Sequence, residues 1–181
     1  MIQRWIVTAI GQDKPGIVAG VTEILYKLGC NLEDSAMTRL EGEFAIMLIF
    51  SSPKTVTAQT LHKSVAPLER RLKLVVHLKP LSSRETVTPK KRGQAFLISV
   101  YGADRPGIVF RVSQELAREG INITDVHTHR SAGGAPSLYL MLLEVEVPPR
   151  LGAEALEARL KKLGKALGVE VNLKAAEADV L

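Results

Sequence analysis

Aromatic residues are scarce. Trp, Tyr and Phe make up 4% of the 181 residues, against 46% hydrophobic residues overall, so Leu, Ile and Val must fill any core. Cysteine is nearly lacking: the single Cys30 excludes an internal disulfide. It stands between Gly29 and Asn31 with no histidine beside it, which fits a small buried hydrophobe rather than a nucleophile. No apolar run approaches the roughly 20 residues of a membrane span. The opening stretch MIQRWIVTAIG is too short and too broken by polar residues for a secretory signal. The expectation is a soluble, cytoplasmic chain with no membrane contact.

Sets of residues that carry chemistry are also missing. No motif brings together a Ser/His/Asp or Cys/His set, and the glycine-rich phosphate loop ending in Lys-Ser/Thr does not occur. No catalytic residue, no cofactor and no enzymatic activity are therefore expected. The net charge is +5, with small basic clusters at Arg70, Arg71 and Lys73 and at Lys90, Lys91 and Arg92. They lack interleaved aromatics, and no helix-turn-helix pattern appears, so direct DNA binding is not expected. His127 and His129 alternate on one strand face with Asp125, but the matching first-half positions are Ala36 and Thr38. A zinc site needs three or four ligands; a solvated or interface strand is the simpler reading, with no metal.

What the chain does have is itself twice. An offset of 91 residues aligns GQDKPGIV at 11–18 with GADRPGIV at 102–109, and the match runs on without a gap to Asp34 and Asp125. Val21/Val112, Leu25/Leu116, Gly29/Gly120 and Asn31/Asn122 are identical along the way. This is a duplicated domain, with copies expected at 1–81 and 94–181 and a polar linker, SSRETVTPKKRG, at 82–93.

Both copies show the same order of elements. Residues 3–10 alternate as a strand, with Trp5, Val7 and Ala9 on one face and Ile6, Thr8 and Ile10 on the other. Phe96, Ile98, Val100 and Leu97, Ser99, Tyr101 match them. Two mainly apolar faces predict helices on one and a partner domain or subunit on the other. Ile17, Val18, Val21, Ile24, Leu25 and Leu28 form a helical stripe that stops at Gly29; Ile108, Val109, Val112 and Leu116 repeat it before Gly120. Strands follow at 31–40 and 43–51 around Glu41-Gly42, which suits a tight hairpin; the second copy has a longer turn at 130–137. A second helix carries Leu61, Val65, Leu68 and Leu72, or Leu156, Leu160, Leu163 and Leu167, and Pro67 is expected to kink the first of these or start a new turn. Short strands at 72–78 and 169–173 close the copies. The order βαββαβ predicts an α+β chain of two ferredoxin-like domains, each an antiparallel sheet with both helices on one face.

The repeated motif admits two readings. In the first, Asp13 caps the helix by accepting from the Gly16 N–H, and Pro15 fills the first helical turn. Gly16 then remains unexplained, because glycine costs a helix about 0.5–1 kcal/mol against alanine, and its repetition at Gly107 suggests that room is needed there. In the second, the free N–H groups of Gly16, Ile17 and Val18 draw a carboxylate to the helix start, and the Asn31 side chain, opening the next strand, can donate and accept. The two would meet across an interface between domains.

The pattern D-x-P-G-I-V-x-x-V-x-x-x-L, then G-x-N, inside a βαββαβ unit resembles the ACT domain, and two copies with little else resemble the glycine cleavage system transcriptional repressor family. The resemblance implies a regulatory module that binds an amino acid at domain–domain interfaces and acts through a protein partner. It places effector binding on Gln12, Asp13, Gly16, Ile17, Val18 and Asn31, and on Asp104, Gly107, Ile108, Val109 and Asn122, with Ala103 standing where the first copy has Gln12. A homo-oligomer that senses glycine or serine is expected; the competing expectation is a constitutive interaction or oligomerisation module in which the motif only shapes the helix entry.

Overall fold

The computed structural model describes residues 2–82, 93–131 and 137–176. Of the expected linker, all but Ser82 and Gly93 lie outside these residues, as does most of the turn at 130–137. The chain divides into two compact units, one within 1–88 and one within 89–181.

In the first unit, β1 (Gln3–Gln12) leads into α1 (Ile17–Lys27), followed by β2 (Asn31–Leu40), β3 (Glu43–Ser52), α2 (Ala58–Leu72) and β4 (Val75–Leu81). The second repeats this as β5 (Gln94–Ala103), α3 (Ile108–Arg118), β6 (Asn122–Arg130), β7 (Leu138–Val147), α4 (Ala153–Leu167) and β8 (Val169–Ala175). The sheets are ordered β2-β3-β1-β4 and β6-β7-β5-β8, antiparallel at every hydrogen-bonded pair. This is the expected ferredoxin-like arrangement.

Alternation decides which sheet face is covered. Trp5, Val7 and Ala9 are buried with Phe44, Ile46, Leu48 and Phe50 beneath Ile17, Val21, Leu25, Leu61, Val65 and Leu68. The second core repeats the plan with Phe96, Ile98, Val100, Met141, Leu143, Ile108, Val112, Leu116, Leu156 and Leu160. Trp5 meets its polar need inside the core, donating Nε1–H to Ser52 Oγ at 3.0 Å. Cys30 is partly buried against the first core, and burial pushes its thiol up, as suits a packing residue.

Turn chemistry follows the residues. Glu41 and Gly42 both have positive φ, 48° and 87°, the signature of a type I′ hairpin. Gly29 (φ 67°) ends α1 in a Schellman motif: its N–H reaches the Tyr26 carbonyl, and the Cys30 N–H reaches that of Leu25. Gly120 and Ile121 repeat both bonds at the end of α3.

Three details refine the expectations. α2 continues through Pro67, whose ring is exposed, so no new helix starts there; Leu61, Val65 and Leu68 anchor it on both sides. The last strand of the first copy starts at Val75, not at 72. Leu72 completes the helix, and Lys73 adopts the left-handed C-cap conformation (φ 54°). Within the helical stripe, Val18 and Val109 point away from the core, 41% and 43% exposed.

Candidate functional site

The motif loop leaves β1 at Gln12, and the Asp13 N–H is tied to the Gly42 carbonyl at 2.8 Å. In the second unit the Asp104 N–H is held by the Ser137 carbonyl at 3.0 Å. The chain then turns at Pro15-Gly16 and enters α1 with Gly16 as N-cap residue, at φ 91° and ψ −2°. Gly107 does the same at φ 93° and ψ −1°. Proline followed by glycine at such angles is the chemistry of a type II turn, whose third residue needs positive φ.

This overturns the capping explanation. Asp13 makes no side-chain cap, and neither helix start has one. Pro15 lies in the turn before the helix, not in its first turn. Nor does the chain itself crowd Gly16: a Cβ built there, or on Gly107, meets nothing within 4 Å. Positive φ is sufficient reason for both glycines. Gly16→Ala and Gly107→Ala are each expected to cost about 1–2 kcal/mol, the penalty of the left-handed region; chemical denaturation of each variant checks this.

Freed from capping, the motif aspartate takes a different partner. Asp13 Oδ2 accepts from Arg39 Nη1 at 3.3 Å, and Asp104 Oδ2 lies 3.8 Å from Arg130 Nη1. Arg39 and Arg130 lie at the C-terminal ends of β2 and β6, two strands from the loop, and keep the offset of 91. Sequence reasoning missed both arginines; the signal was that offset, continued past Asp125. The pairs are exposed, with arginine side chains 67% and 71% accessible, so they contribute at most about 1 kcal/mol to stability.

The two loops are not identical. Phe44 pairs with Gly11 beside the first, and Tyr139 with Gly102 beside the second. Burial, with the charge of Asp104 close by, pushes the Tyr139 phenol up, so it stays neutral at ordinary pH. Gln12 and Val18 are exposed, whereas the side chains of Ile17 and Ile108 are in the cores, which leaves only their backbone to the loop.

The structure does not bring the asparagines to the loop of their own unit. Asn31 is in register with Ser51, and Ser51 with Arg4, whereas the loop follows Gln12 at the other end of β1. Eight residues of strand separate the two levels, about 26 Å. Asn122, level with Ala95 through Glu146, is as far from its loop. Asp34 and Asp125 are structural: the register slips before each, and their Oδ1 atoms hold the N–H groups of Ser35 and Val126 at 2.8 Å. Asp125 Oδ2 also contacts His127 Nε2 at 3.0 Å. Among the described residues no group of three or more His, Cys, Asp or Glu is placed to hold a metal ion. No helix among them is long and apolar enough to cross a membrane.

Comparison with known proteins gives the same division of the chain. The ACT domain matches residues 3–79 and again 96–165. A protein of Escherichia coli named glycine cleavage system transcriptional repressor is 29% identical over 169 residues, 92% of this chain and 85% of that one. A UPF0237 protein of Streptococcus mutans is 32% identical over 73 residues, 40% of this chain and 83% of its own length. A crystal structure of a protein from Galdieria sulphuraria superposes with a TM-score of 0.78 at 26% identity, covering 98% of this chain and all of that one.

Proposed function

The chain belongs to the ACT-domain family, with two copies in tandem, and on that premise we propose that it is a non-enzymatic regulatory protein that binds a small amino acid and passes the signal to a protein partner. The observation that carries this reading is the motif loop, built the same way twice. Each loop offers a helix start that no side chain caps and, beside it, a carboxylate and a guanidinium. A zwitterion presents the complement of each: its carboxylate suits Arg39 and the N–H groups of Gly16, Ile17 and Val18, and its ammonium suits Asp13. Asp104, Arg130, Gly107, Ile108 and Val109 offer the second unit the same set.

The asparagines enter from another ACT domain, because each lies far from its own loop. The effector therefore sits at an interface, and binding favours the domain arrangement that completes it. Glycine and serine are the first candidates, since the relative in Escherichia coli carries the name of a glycine cleavage system repressor. Control of glycine cleavage system transcription through a partner regulator follows from the same relationship.

Thermal-shift and calorimetric titration with the twenty amino acids at millimolar concentration tests the proposal. Saturation at a hundredfold excess over Kd stabilises by about 2.7 kcal/mol, a readily measured shift. Asn31→Ala with Asn122→Ala is expected to abolish the response while the far-UV spectrum stays unchanged. No response of the native chain to any amino acid overturns the effector reading in favour of a constitutive module.

A further inference from the structure

The two units finish the same sheet edge in different ways. β4 and β8 are the outermost strands on that side. Val76 is level with Ala9, and Val171 with Val100, so Val76 matches Val171 and Pro80 matches Ala175. The same spacing sets Glu69 of α2 against Gly164 of α4. Alternate residues of an antiparallel strand turn both backbone groups to one side. The Ala176 N–H donates to the Ala95 carbonyl at 3.0 Å, so Val171, Leu173 and Ala175 turn theirs away from β5.

In the first unit this outward row is closed. Glu69 Oε1 accepts from the Val76 N–H at 3.1 Å, and Pro80 has no N–H to offer. In the second both closures are gone: Gly164 has no side chain, and Ala175 carries an N–H. Gly164 also lets α4 lie close on the start of β8, since a Cβ there would stand 2.7 Å from the Val169 carbonyl oxygen. Lys161, Gly164 and Lys165 face Val169 to Asn172 across a groove of about 560 Å³.

We propose that the outer edge of β8 is a docking site for an extended, acidic segment of a protein partner, which joins the four-stranded sheet as a further strand. Charge decides the occupant. Lys161 and Lys165 border the groove on the helix side, the Arg105 guanidinium lies beside Gly168 at its end, and Lys174 stands on the opposite face of the strand. Lys161 is shared with Glu157 at 2.7 Å, and Glu170 accepts from Asn172 Nδ2 at 3.1 Å, which leaves the balance positive. A second copy of β8 is a poor occupant, because two-fold pairing would bring the lysines of two α4 helices together. An acidic strand neutralises them instead. Backbone hydrogen bonds supply the affinity, and the lysines on both sides supply the preference for acid. Docking here requires no bound amino acid.

Fluorescence anisotropy of the full chain with a labelled peptide of seven residues, the length of β8, alternating glutamate and valine, tests this. Saturable binding is expected, and none for the same peptide with lysine in place of glutamate. Ala175→Pro copies the closure of the first unit and removes one outward hydrogen bond. It should weaken binding about tenfold with unchanged circular dichroism. Methylating every amide nitrogen of the peptide keeps its charge and should abolish binding. No binding of the acidic peptide at millimolar concentration overturns the proposal. So does binding that survives methylation, or that a folded Ala175→Pro chain retains in full, since the attraction would then be one of charge alone. A dimer of the chain that Ala175→Pro dissociates would give the edge to a second copy, and would equally overturn it.

Discussion

Phe50→Ala is expected to remove about 3–5 kcal/mol from the first unit. Phe50 has no exposed surface, lies in register with Trp5 on the covered face of the sheet, and is backed by the α1 and α2 core. A unit of about 80 residues is stable by about 4–12 kcal/mol at the usual 0.05–0.15 kcal/mol per residue. The loss is therefore between a quarter and all of what holds the unit folded. Trp5 is the sole tryptophan of the chain, so its fluorescence reads this unit's unfolding without interference from the second. The urea midpoint from Trp5 emission should fall sharply. An unchanged midpoint would mean that the Phe50 cavity refills at no cost, contrary to a closely packed core.

Pro67→Ala should do the opposite and stabilise the first unit by about 2 kcal/mol. Proline inside a helix is about 3 kcal/mol worse than alanine, and its stiffening of the unfolded chain returns only about 0.5–1 kcal/mol. Pro67 is exposed, so little packing is lost with the ring. The second unit supplies the comparison: aligning Leu61 with Leu156 puts Lys162 at the matching place in α4, a residue that suits a helix. A melting temperature higher by about 8–16 °C, read again from Trp5, is the expected result. A lower one would show that the Pro67 ring is what seats Leu68 and Leu72 on the sheet.

Most of the fold was legible because the signals were local and came twice. Alternation placed Trp5, Val7 and Ala9 inside, Gly29 and Gly120 ended their helices, and Glu41-Gly42 formed the tight hairpin. The misreadings have physical causes. Leu72 and Leu74 fit either a helix end or a strand start, and the choice fell to Lys73, whose left-handed conformation its residue type does not announce. Asp-x-Pro-Gly suits a cap with a first helical turn as well as a turn before the helix; only φ at Gly16 separates the two. Arg39 was out of reach for another reason. It meets Asp13 because β2 runs parallel to β1 two strands away, which the topology determines and no local pattern states. The same topology sets Asn31 some 26 Å from the loop by strand rise, so proximity in sequence gave no measure of proximity in the site.

The slip in register at Asp34 and Asp125 has a bearing on solubility. β2 and β6 are edge strands of ten and nine residues, nearly all exposed, and a flat edge of that length is a template on which further strands can stack. A bulge close to its start, pinned by an aspartate that takes up the following N–H, twists the strand and interrupts the row of groups an incoming strand would need. The duplication thus copied a guard against aggregation along with each edge that requires one.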